Sequence, residues 1–158
     1  MKQKIYIETS VISYLVSSPS KNIVIAAHQT STIDMWKILN DFDVFISDIV
    51  IQEASRGDKL QASHRMEILT KFQVLEIDDE AKELARALLK GKAIPGKCPE
   101  DALHISVAAV NGIDVIVTWN FRHINNPFTR KMIRHITETN GYACPEICSP
   151  DEFLGDDV

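Results

Sequence analysis

The chain has 158 residues, of which 45% are hydrophobic and 25% are charged, and this length predicts one globular domain that buries roughly two-thirds of its unfolded surface. It contains neither an apolar run of the roughly 20 residues that a membrane span needs nor an N-terminal signal segment, so we expect a cytoplasmic protein that does not bind membranes. Its net charge of -5 argues against a protein that binds nucleic acid through its overall charge, because phosphate binding depends on cationic side chains. If the substrate is a polyanion, metal ions or a local basic patch must attract it.

The first predicted strand ends in a run of polar side chains. Residues 4–7 form a short, apolar, β-prone segment, and Glu8, Thr9 and Ser10 follow it before an apolar stretch at residues 11–16. In an open α/β sheet, the junction after such a strand opens onto the ligand crevice. Glu8 could be a solvated residue at the end of the strand, but a carboxylate directly behind an apolar strand is costly unless something satisfies it, so we favour a functional site.

A long helix is predicted next. Residues 21–40 favour a helix, although the polar triplet at residues 30–32 could interrupt it. We expect four of its apolar side chains to lie in the core: Ile23, Ala27, Trp36 and Leu39.

The second predicted strand covers residues 44–47. Asp48 follows it as the expected N-cap of a helix that ends near Gly57. Glu53 therefore falls within about two helical turns of a strand's carboxyl end, although a glutamate on a helix is usually just exposed.

The sequence of the middle of the chain predicts secondary structure but contains no evident catalytic or binding residues. We expect a helix over residues 60–72 and a short strand over residues 74–77. Asp78 and the residue after it then open an amphipathic helix that Gly91 closes. Its buried face is predicted to contain Ala81, Leu84, Ala85 and Leu88.

Acidic side chains stand at the start of a later helix. A loop over residues 92–99 delivers Glu100 and Asp101 to the N-terminus of a helix over residues 102–110. An aspartate there is a routine cap that complements the helix dipole, so Asp101 alone fits both a cap and a functional carboxylate. His104 lies about one helical turn further on roughly the same side, and could face the site or be a partly buried core histidine.

The next predicted strand, residues 115–117, is followed by Thr118 and Asn120. Strands that alternate with helices predict an α/β fold with a central, mostly parallel sheet flanked by helices. Asn120 is equally at home in a turn after a strand. Thr118, like Thr9 and Ser10, could orient the carboxylates or merely satisfy local backbone groups.

The remaining predicted elements are a short helix over residues 129–139, a short strand after residues 141–142 and a helix that starts at residues 149–152. The three cysteines, Cys98, Cys144 and Cys148, form no CxxC pair, which is typical of reduced thiols. Zinc binding by Cys144 and Cys148 would need two further ligands in suitable spacing, so we expect structural thiols.

Four polar residues are candidates for a metal site: Glu8, Glu53, Asp101 and Asn120. Because the carboxyl ends of parallel strands meet at one edge of the sheet, these side chains can converge there. Carboxylates in one place repel each other unless divalent cations neutralise them. A Mg²⁺ or Mn²⁺ ion held by such oxygens can lower the pKa of a bound water molecule and stabilise negative charge on a phosphodiester. Hydrolysis by this route needs no Ser, Cys or His nucleophile.

Four segments together resemble the motifs of PIN-domain proteins. Residues 5–11 (Ile-Tyr-Ile-Glu-Thr-Ser-Val) resemble the opening motif, and Glu53 falls where the second acidic residue does. Residues 101–105 (Asp-Ala-Leu-His-Ile) resemble the third motif, and residues 118–123 (Thr-Trp-Asn-Phe-Arg-His) the fourth. The resemblance spans nearly the whole chain and implies a single three-layer, PIN-like domain over residues 1–158.

The resemblance implies a divalent-metal-dependent endoribonuclease, similar to the VapC-like toxins of bacterial and archaeal toxin–antitoxin pairs. RNA would then be the substrate, a small antitoxin protein the inhibitor, and a homodimer the expected assembly. It also implies Mg²⁺ or Mn²⁺ as the cofactor, with Glu8 and Asp101 as ligands. Glu53 would be a further ligand or a base that orients water, and Asn120 a neutral ligand, direct or through water.

Basic side chains concentrate near the end of the chain: Arg122, His123, Arg130, Lys131, Arg134 and His135. One hypothesis is that Arg122, His123 and Arg130 contact RNA and that Trp119 stacks on a base. The alternative is a solvated charged face with a tryptophan that only packs.

Two residues depart from the PIN pattern, because the first and fourth motifs usually carry aspartate. Glu8 is one methylene longer and Asn120 is neutral, which predicts weaker or single-metal binding. One alternative function is therefore a catalytically weak PIN-like module that binds RNA or a partner protein. Another is a metal-dependent phosphatase or receiver-like domain, although no strand-end aspartate stands ready to accept phosphate.

Overall fold

Strands and helices alternate through most of the chain in the computed structural model, which describes residues 1–155. The strands are β1 (Lys4–Ile7), β2 (Asp43–Ser47), β3 (Gln73–Leu75), β4 (Val115–Val117) and β5 (Glu146–Cys148). The helices are α1 (Thr9–Val16), α2 (Ile23–Trp36), α3 (Asp48–Ala54), α4 (Lys59–Leu69), α5 (Asp79–Lys90), α6 (Pro99–Val110), α7 (Pro127–Thr139) and α8 (Pro150–Leu154). A short 3-10 helix, Leu39–Asp41, lies between α2 and β2.

The strand β1 lies at the centre of the five-stranded sheet, whose order is β3-β2-β1-β4-β5. All four pairings are parallel, and Ile5 of β1 lies opposite both Val44 of β2 and Val115 of β4. The predicted α/β fold with a parallel sheet flanked by helices is confirmed. The chain builds β2 and β3 on one side of β1 and then β4 and β5 on the other. The gap between β1 and β4 is therefore a topological switch point, where open parallel sheets bind ligands.

The core contains β1 and the predicted apolar face of α5. Helices cover both faces of a parallel sheet, and Ile5, Tyr6 and Ile7 accordingly have no exposed area. Asp78 is the N-cap of α5 and Gly91 its C-cap. The predicted apolar face of α5 is buried: Ala81, Leu84, Ala85 and Leu88.

The predicted helix is present as α2, and it is not interrupted at residues 30–32, which the sequence had left open. The hydroxyls of Thr30 and Thr32 donate to the carbonyls of Ala26 and His28, one turn earlier in the same helix. These hydroxyls thus bond to carbonyls of the helix itself, as threonines within helices commonly do, and the helix continues through the polar triplet.

The orientation of α2 also differs from the prediction. Ile23 is 85% exposed and Ala27 is exposed, so their predicted core positions are wrong. Leu39 is buried and Trp36 packs against the core, as predicted. The buried side chains of α2 are Gln29, Thr32 and Met35. Polar partners elsewhere in the fold, which the pattern of apolar residues does not reveal, thus decide which face of α2 turns inward.

The prediction that Asp48 is the N-cap of α3 is wrong, because the N-cap is Ser47. The Ser47 hydroxyl accepts a hydrogen bond from the Ile49 N–H. Asp48 is instead the first helical residue, where its carboxylate suits the helix dipole and accepts a hydrogen bond from the Ile77 N–H (3.3 Å).

The single domain over residues 1–158 stays a prediction, and residues 156–158 lie outside the described part of the chain. Among residues 1–155, no helix is long and apolar enough to cross a membrane.

Candidate metal centre

The structure brings the four predicted metal-site residues to one edge of the sheet, beside the switch point. Glu8 follows β1 and caps α1, Glu53 lies near the end of α3, and Asp101 lies in the first turn of α6. Asn120 lies in the turn after β4. The central side chain is His104, whose Nε2 lies 2.6 Å from Glu53 Oε1 and 4.0 Å from Glu8 Oε2.

Glu8 is almost fully buried, with 5% of its surface exposed. Its carboxylate accepts hydrogen bonds from the Ser10 N–H (3.2 Å), the Ser10 hydroxyl and the Thr118 hydroxyl (2.6 Å). Its own N–H donates to the Val117 carbonyl, which fixes the backbone between β1 and β4. Hydrogen bonds to the charged form stabilise a buried carboxylate, so Ser10 and Thr118 hold Glu8 in place.

A chain of buried hydrogen bonds runs from the sheet to Glu53. The Ser47 hydroxyl contacts the Tyr6 hydroxyl (2.7 Å), which contacts His104 Nδ1 (2.6 Å). His104 Nε2 then contacts Glu53 Oε1, which also accepts a hydrogen bond from the Thr9 hydroxyl (2.7 Å). Both nitrogens of this fully buried imidazole are therefore engaged, and the ring has one supported orientation.

The charges of the cluster shift three pKa values. Burial alone would lower the pKa of His104, but the hydrogen bond to Glu53 and the charge of Glu8 raise it above its ordinary value. Burial alone would raise the pKa of Glu53, but the hydrogen bond and charge of His104 hold it below its ordinary value. Burial raises the pKa of Asp101 despite the opposing charge of His104. A cation next to Asp101 would favour its ionised form.

Asp101 is held by two groups from the turn after β4. Asn120 Nδ2 donates to Asp101 Oδ1 (3.3 Å), and His123 Nδ1 lies 3.1 Å from Asp101 Oδ2. Asn120 Oδ1 accepts a hydrogen bond from the His123 N–H (3.0 Å). An amide oxygen has two lone pairs, so this hydrogen bond leaves Asn120 one position for a metal ion or a water molecule.

The donor set at this edge fits a hard divalent cation. The oxygens of Glu8, Glu53 and Asp101 are the ligand type that Mg²⁺ and Mn²⁺ prefer. Ligand atoms of Glu8, Glu53 and His104 lie within 4.8 Å of one another. The side chains of Asp101 and Glu53 keep 15% and 24% of their surface exposed, so an ion can reach them from solvent.

The predicted RNA-contacting residues fall in different surroundings. His123 contacts Asp101, Arg122 is exposed, and Arg130 Nη1 donates to Asn125 Oδ1 (2.6 Å). Trp119 is 6% exposed, so it is mainly a packing residue.

Some members of the cluster were not predicted from the sequence. Tyr6 and Ser47 support His104 from neighbouring strands, and Cys98 lies with Asp101 and His123 in a second group of metal-ligating atoms. Two features of the sequence could have indicated them: the Tyr6 hydroxyl within the apolar β1 segment, and Cys98, which lies one helical turn before Asp101.

Comparisons with known proteins place this site in context. The family model for the PIN domain matches residues 5–127. The structure resembles VapBC2 from Rickettsia felis, bound to a DNA fragment from its promoter, with a TM-score of 0.60, 18% identity and coverage of 93% of this chain and 98% of that chain. It also resembles the Mycobacterium tuberculosis toxin VapC20, which cleaves the Sarcin-Ricin loop, with a TM-score of 0.55, 16% identity and coverage of 88% of this chain and 96% of that chain. No curated protein sequence matches the chain significantly.

Proposed function

Because the chain belongs to the PIN domain family, we propose that it is a divalent-metal-dependent endoribonuclease that hydrolyses phosphodiester bonds of RNA. The main support is the buried Glu8 carboxylate at the switch point, which is held by three hydrogen bonds and has a ligand atom within 4.8 Å of one of Glu53. Membership of this family also argues against the receiver-like alternative.

We propose Mg²⁺ or Mn²⁺ as the ion and Glu8 and Asp101 as its principal ligands. When bound, such an ion lowers the pKa of water and stabilises negative charge on the phosphodiester. Asn120 would keep the Asp101 carboxylate in its orientation and supply a neutral oxygen, direct or through water. Ser10 and Thr118 would prevent Glu8 from turning away.

Glu53 would either bind the ion or orient water. His104 and Thr9 fix its Oε1, which leaves the other oxygen free to direct a water molecule toward phosphorus. The lowered pKa of Glu53 favours these roles over proton uptake, because a weaker base takes a proton less readily.

The chain is further proposed to be the toxin of a type II toxin–antitoxin pair. It would be inhibited by a small antitoxin protein and form a homodimer. The fold likeness to the VapBC2 and VapC20 toxin structures supports this role. Exposed apolar side chains on α2, Ile23 at 85% and Val24 at 62%, support a protein interface.

One observation favours the weaker alternative, a PIN-like module that binds RNA or a partner protein without cleaving RNA. Asn120 supplies no negative charge, and its Nδ2 offers Asp101 a hydrogen-bond donor. The site therefore carries one carboxylate fewer than the usual pattern, which lowers its attraction for cations.

The decisive experiment incubates purified protein with mixed RNA in Mn²⁺, in Mg²⁺ and with a chelator, alongside the Asp101→Asn variant. We expect cleavage that requires the metal and falls by at least about 100-fold in the variant, since interactions made in the transition state each contribute several kcal/mol. Asp79→Asn, an exposed change on α5, is the matched control and should cleave as the wild type does.

If the folded protein leaves RNA intact in both Mn²⁺ and Mg²⁺, this result contradicts the proposed ribonuclease activity. If that inactive protein still retains RNA in a filter-binding assay, the binding module takes its place. Cleavage that survives Asp101→Asn would mean that the nuclease uses another site.

A further inference from the structure

A second group of metal-ligating atoms lies beside the acidic site and has a different composition. Ligand atoms of Cys98, Asp101 and His123 all lie within 4.8 Å of one another. The group combines a thiol, a carboxylate and an imidazole, whereas the acidic site depends on the oxygens of Glu8, Glu53 and Asp101. Asp101 is the member that both sites share.

The backbone fixes the three side chains by separate means. Cys98 is the N-cap residue of α6, yet its side chain makes no capping hydrogen bond, and Asp101 follows one turn later. His123 comes from the turn after β4, where its N–H donates to Asn120 Oδ1 (3.0 Å). Its Nδ1 lies 3.1 Å from Asp101 Oδ2. Local structure thus brings the three ligands together before any ion arrives.

This donor set selects a different ion from the acidic site. Zinc prefers sulfur and nitrogen ligands in tetrahedral geometry, and three protein ligands with a fourth open position are common in its sites. Mg²⁺ and Mn²⁺ prefer an oxygen environment, so a thiolate and an imidazole disfavour them. All three residues are partly buried, and Asp101 and His123 keep 15% and 20% of their side-chain surface exposed. The group is therefore enclosed but accessible to an ion from solvent.

We propose that Cys98, Asp101 and His123 form a zinc site that competes with the acidic site for Asp101. On zinc binding, the Cys98 thiol releases its proton to solvent and its sulfur becomes a ligand, while a carboxylate oxygen of Asp101 turns to the zinc ion. Zinc binding itself is independent of the ribonuclease activity. The expected consequence, that zinc inhibits Mg²⁺- or Mn²⁺-dependent cleavage, rests on the proposed function.

The first test uses Co²⁺ as a spectroscopic substitute for zinc, with the protein kept reduced. We expect a thiolate-to-cobalt charge-transfer absorption that added Zn²⁺ abolishes. The absorption should disappear in Cys98→Ala and persist in two matched controls, Cys144→Ala and Cys148→Ala, whose thiols are also partly buried. Circular dichroism and thermal unfolding verify that each variant is folded.

The second test measures zinc affinity by competition with a chromophoric chelator. Loss even of a hydrogen-bond partner of a ligand typically weakens metal affinity by about 10–100-fold, so loss of the His123 ligand in His123→Gln should weaken it by at least as much. Absence of the charge-transfer absorption, or an unchanged absorption and zinc affinity in Cys98→Ala, would overturn the zinc site.

The third test separates the inference from the proposed function. Zinc should inhibit Mn²⁺-dependent RNA cleavage by the wild type, and inhibition should need at least about tenfold more zinc in Cys98→Ala. Equal inhibition of both proteins would overturn the competition. Zinc binding through Cys98 by a protein that cleaves no RNA would support the zinc site and overturn the ribonuclease.

Discussion

His104 is the residue that connects the hydrophobic core to the candidate metal centre. It has no exposed surface, and its two ring nitrogens contact Tyr6 on one side and Glu53 on the other. Its partners are also buried or half-buried. Replacement of His104 removes one hydrogen bond from each partner, so Tyr6 keeps only its contact with Ser47 and Glu53 Oε1 only its contact with Thr9, and lost hydrogen bonds of buried polar groups are destabilising.

We therefore predict that His104→Ala destabilises the fold and impairs the site together. Loss of hydrogen bonds to a buried partner costs about 1–3 kcal/mol, which urea unfolding would measure. Metal-dependent cleavage per folded molecule should also fall, because Glu53 loses the contact that orients it. His64→Ala, an exposed change on α4, is the control. A variant as stable and active as the control would show that the hydrogen-bond chain contributes nothing.

The shifted pKa values of His104 and Glu53 predict how stability depends on pH. Because the folded pKa of His104 is raised, its contribution is complete below its ordinary pKa of 6.5 and is lost as pH rises through the folded value. Because the folded pKa of Glu53 is lowered, its contribution is complete above its ordinary pKa of 4.5 and is lost as pH falls through the folded value. The free energy of unfolding contributed by this pair should thus be greatest between these two ordinary values.

Urea unfolding over a series of pH values checks this dependence. His104→Gln should flatten the loss of stability on the alkaline side, and Glu53→Gln the loss on the acidic side. Alkaline limbs of equal slope in the wild type and His104→Gln would contradict the assignment to His104.

At the scale of the elements, α6 and its N-cap contribute residues to both groups of ligand atoms, and α5 packs against α6. Cys98, Asp101 and His104 follow one another along the start of α6 at intervals of three residues, so one helix orientation positions all of them. The α5 helix packs along α6 through its apolar face. The position of the site therefore depends on packing far from the ligands.

We predict that Leu88→Ala in α5 lowers the free energy of unfolding by about 2–5 kcal/mol, the usual cost of a cavity at a fully buried leucine. Leu60→Ala is the matched control, because Leu60 also lies on a helix but is 63% exposed. Denaturant unfolding of both variants measures the difference. Equal losses in the two variants would mean that the α5 face does not support the fold.

Sequence patterns predicted the strands and helices whose structure depends mainly on their own residues. The β1 and β4 strands are short apolar runs, and α5 has one continuous apolar face, so their positions and burial were predictable. The inward face of α2 was not, because Thr32 turns inward to accept a hydrogen bond from Trp119, which lies 87 positions away. The placement of Glu8 and Asp101 followed from strand ends and helix starts. The support of His104 by Tyr6 joins residues 98 positions apart, and no local pattern records it.

At the scale of the whole molecule, an acidic chain carries an exposed apolar surface on one helix. The net charge of -5 disfavours self-association at low salt, whereas Ile23 and Val24 on α2 lose contact with water if two copies meet there. Apolar burial persists in salt and charge repulsion does not, so association should strengthen as salt is added.

We accordingly predict a homodimer in which α2 participates. Light scattering during size-exclusion chromatography should give twice the mass of the chain, and Ile23→Asp should shift the protein toward a monomer that is still folded by circular dichroism, since Ile23 is 85% exposed in the single chain. Leu60→Asp, at another exposed helical position, should leave the dimer intact. A monomeric wild type would contradict the dimer, and an unchanged mass in Ile23→Asp would remove α2 from the interface.

The environment of Trp119 gives the protein an internal optical reporter of its own site. The indole stacks on His28 with ring centroids 4.0 Å apart, and the backbone N–H of Trp119 donates to the Ser10 hydroxyl that holds Glu8. A metal ion that draws Glu8 toward itself therefore changes the surroundings of this fluorophore. In a Trp36→Phe background, Trp119 remains as the single tryptophan, so its emission intensity and wavelength, excited selectively over the tyrosines, would follow ion binding directly, without RNA or an added dye.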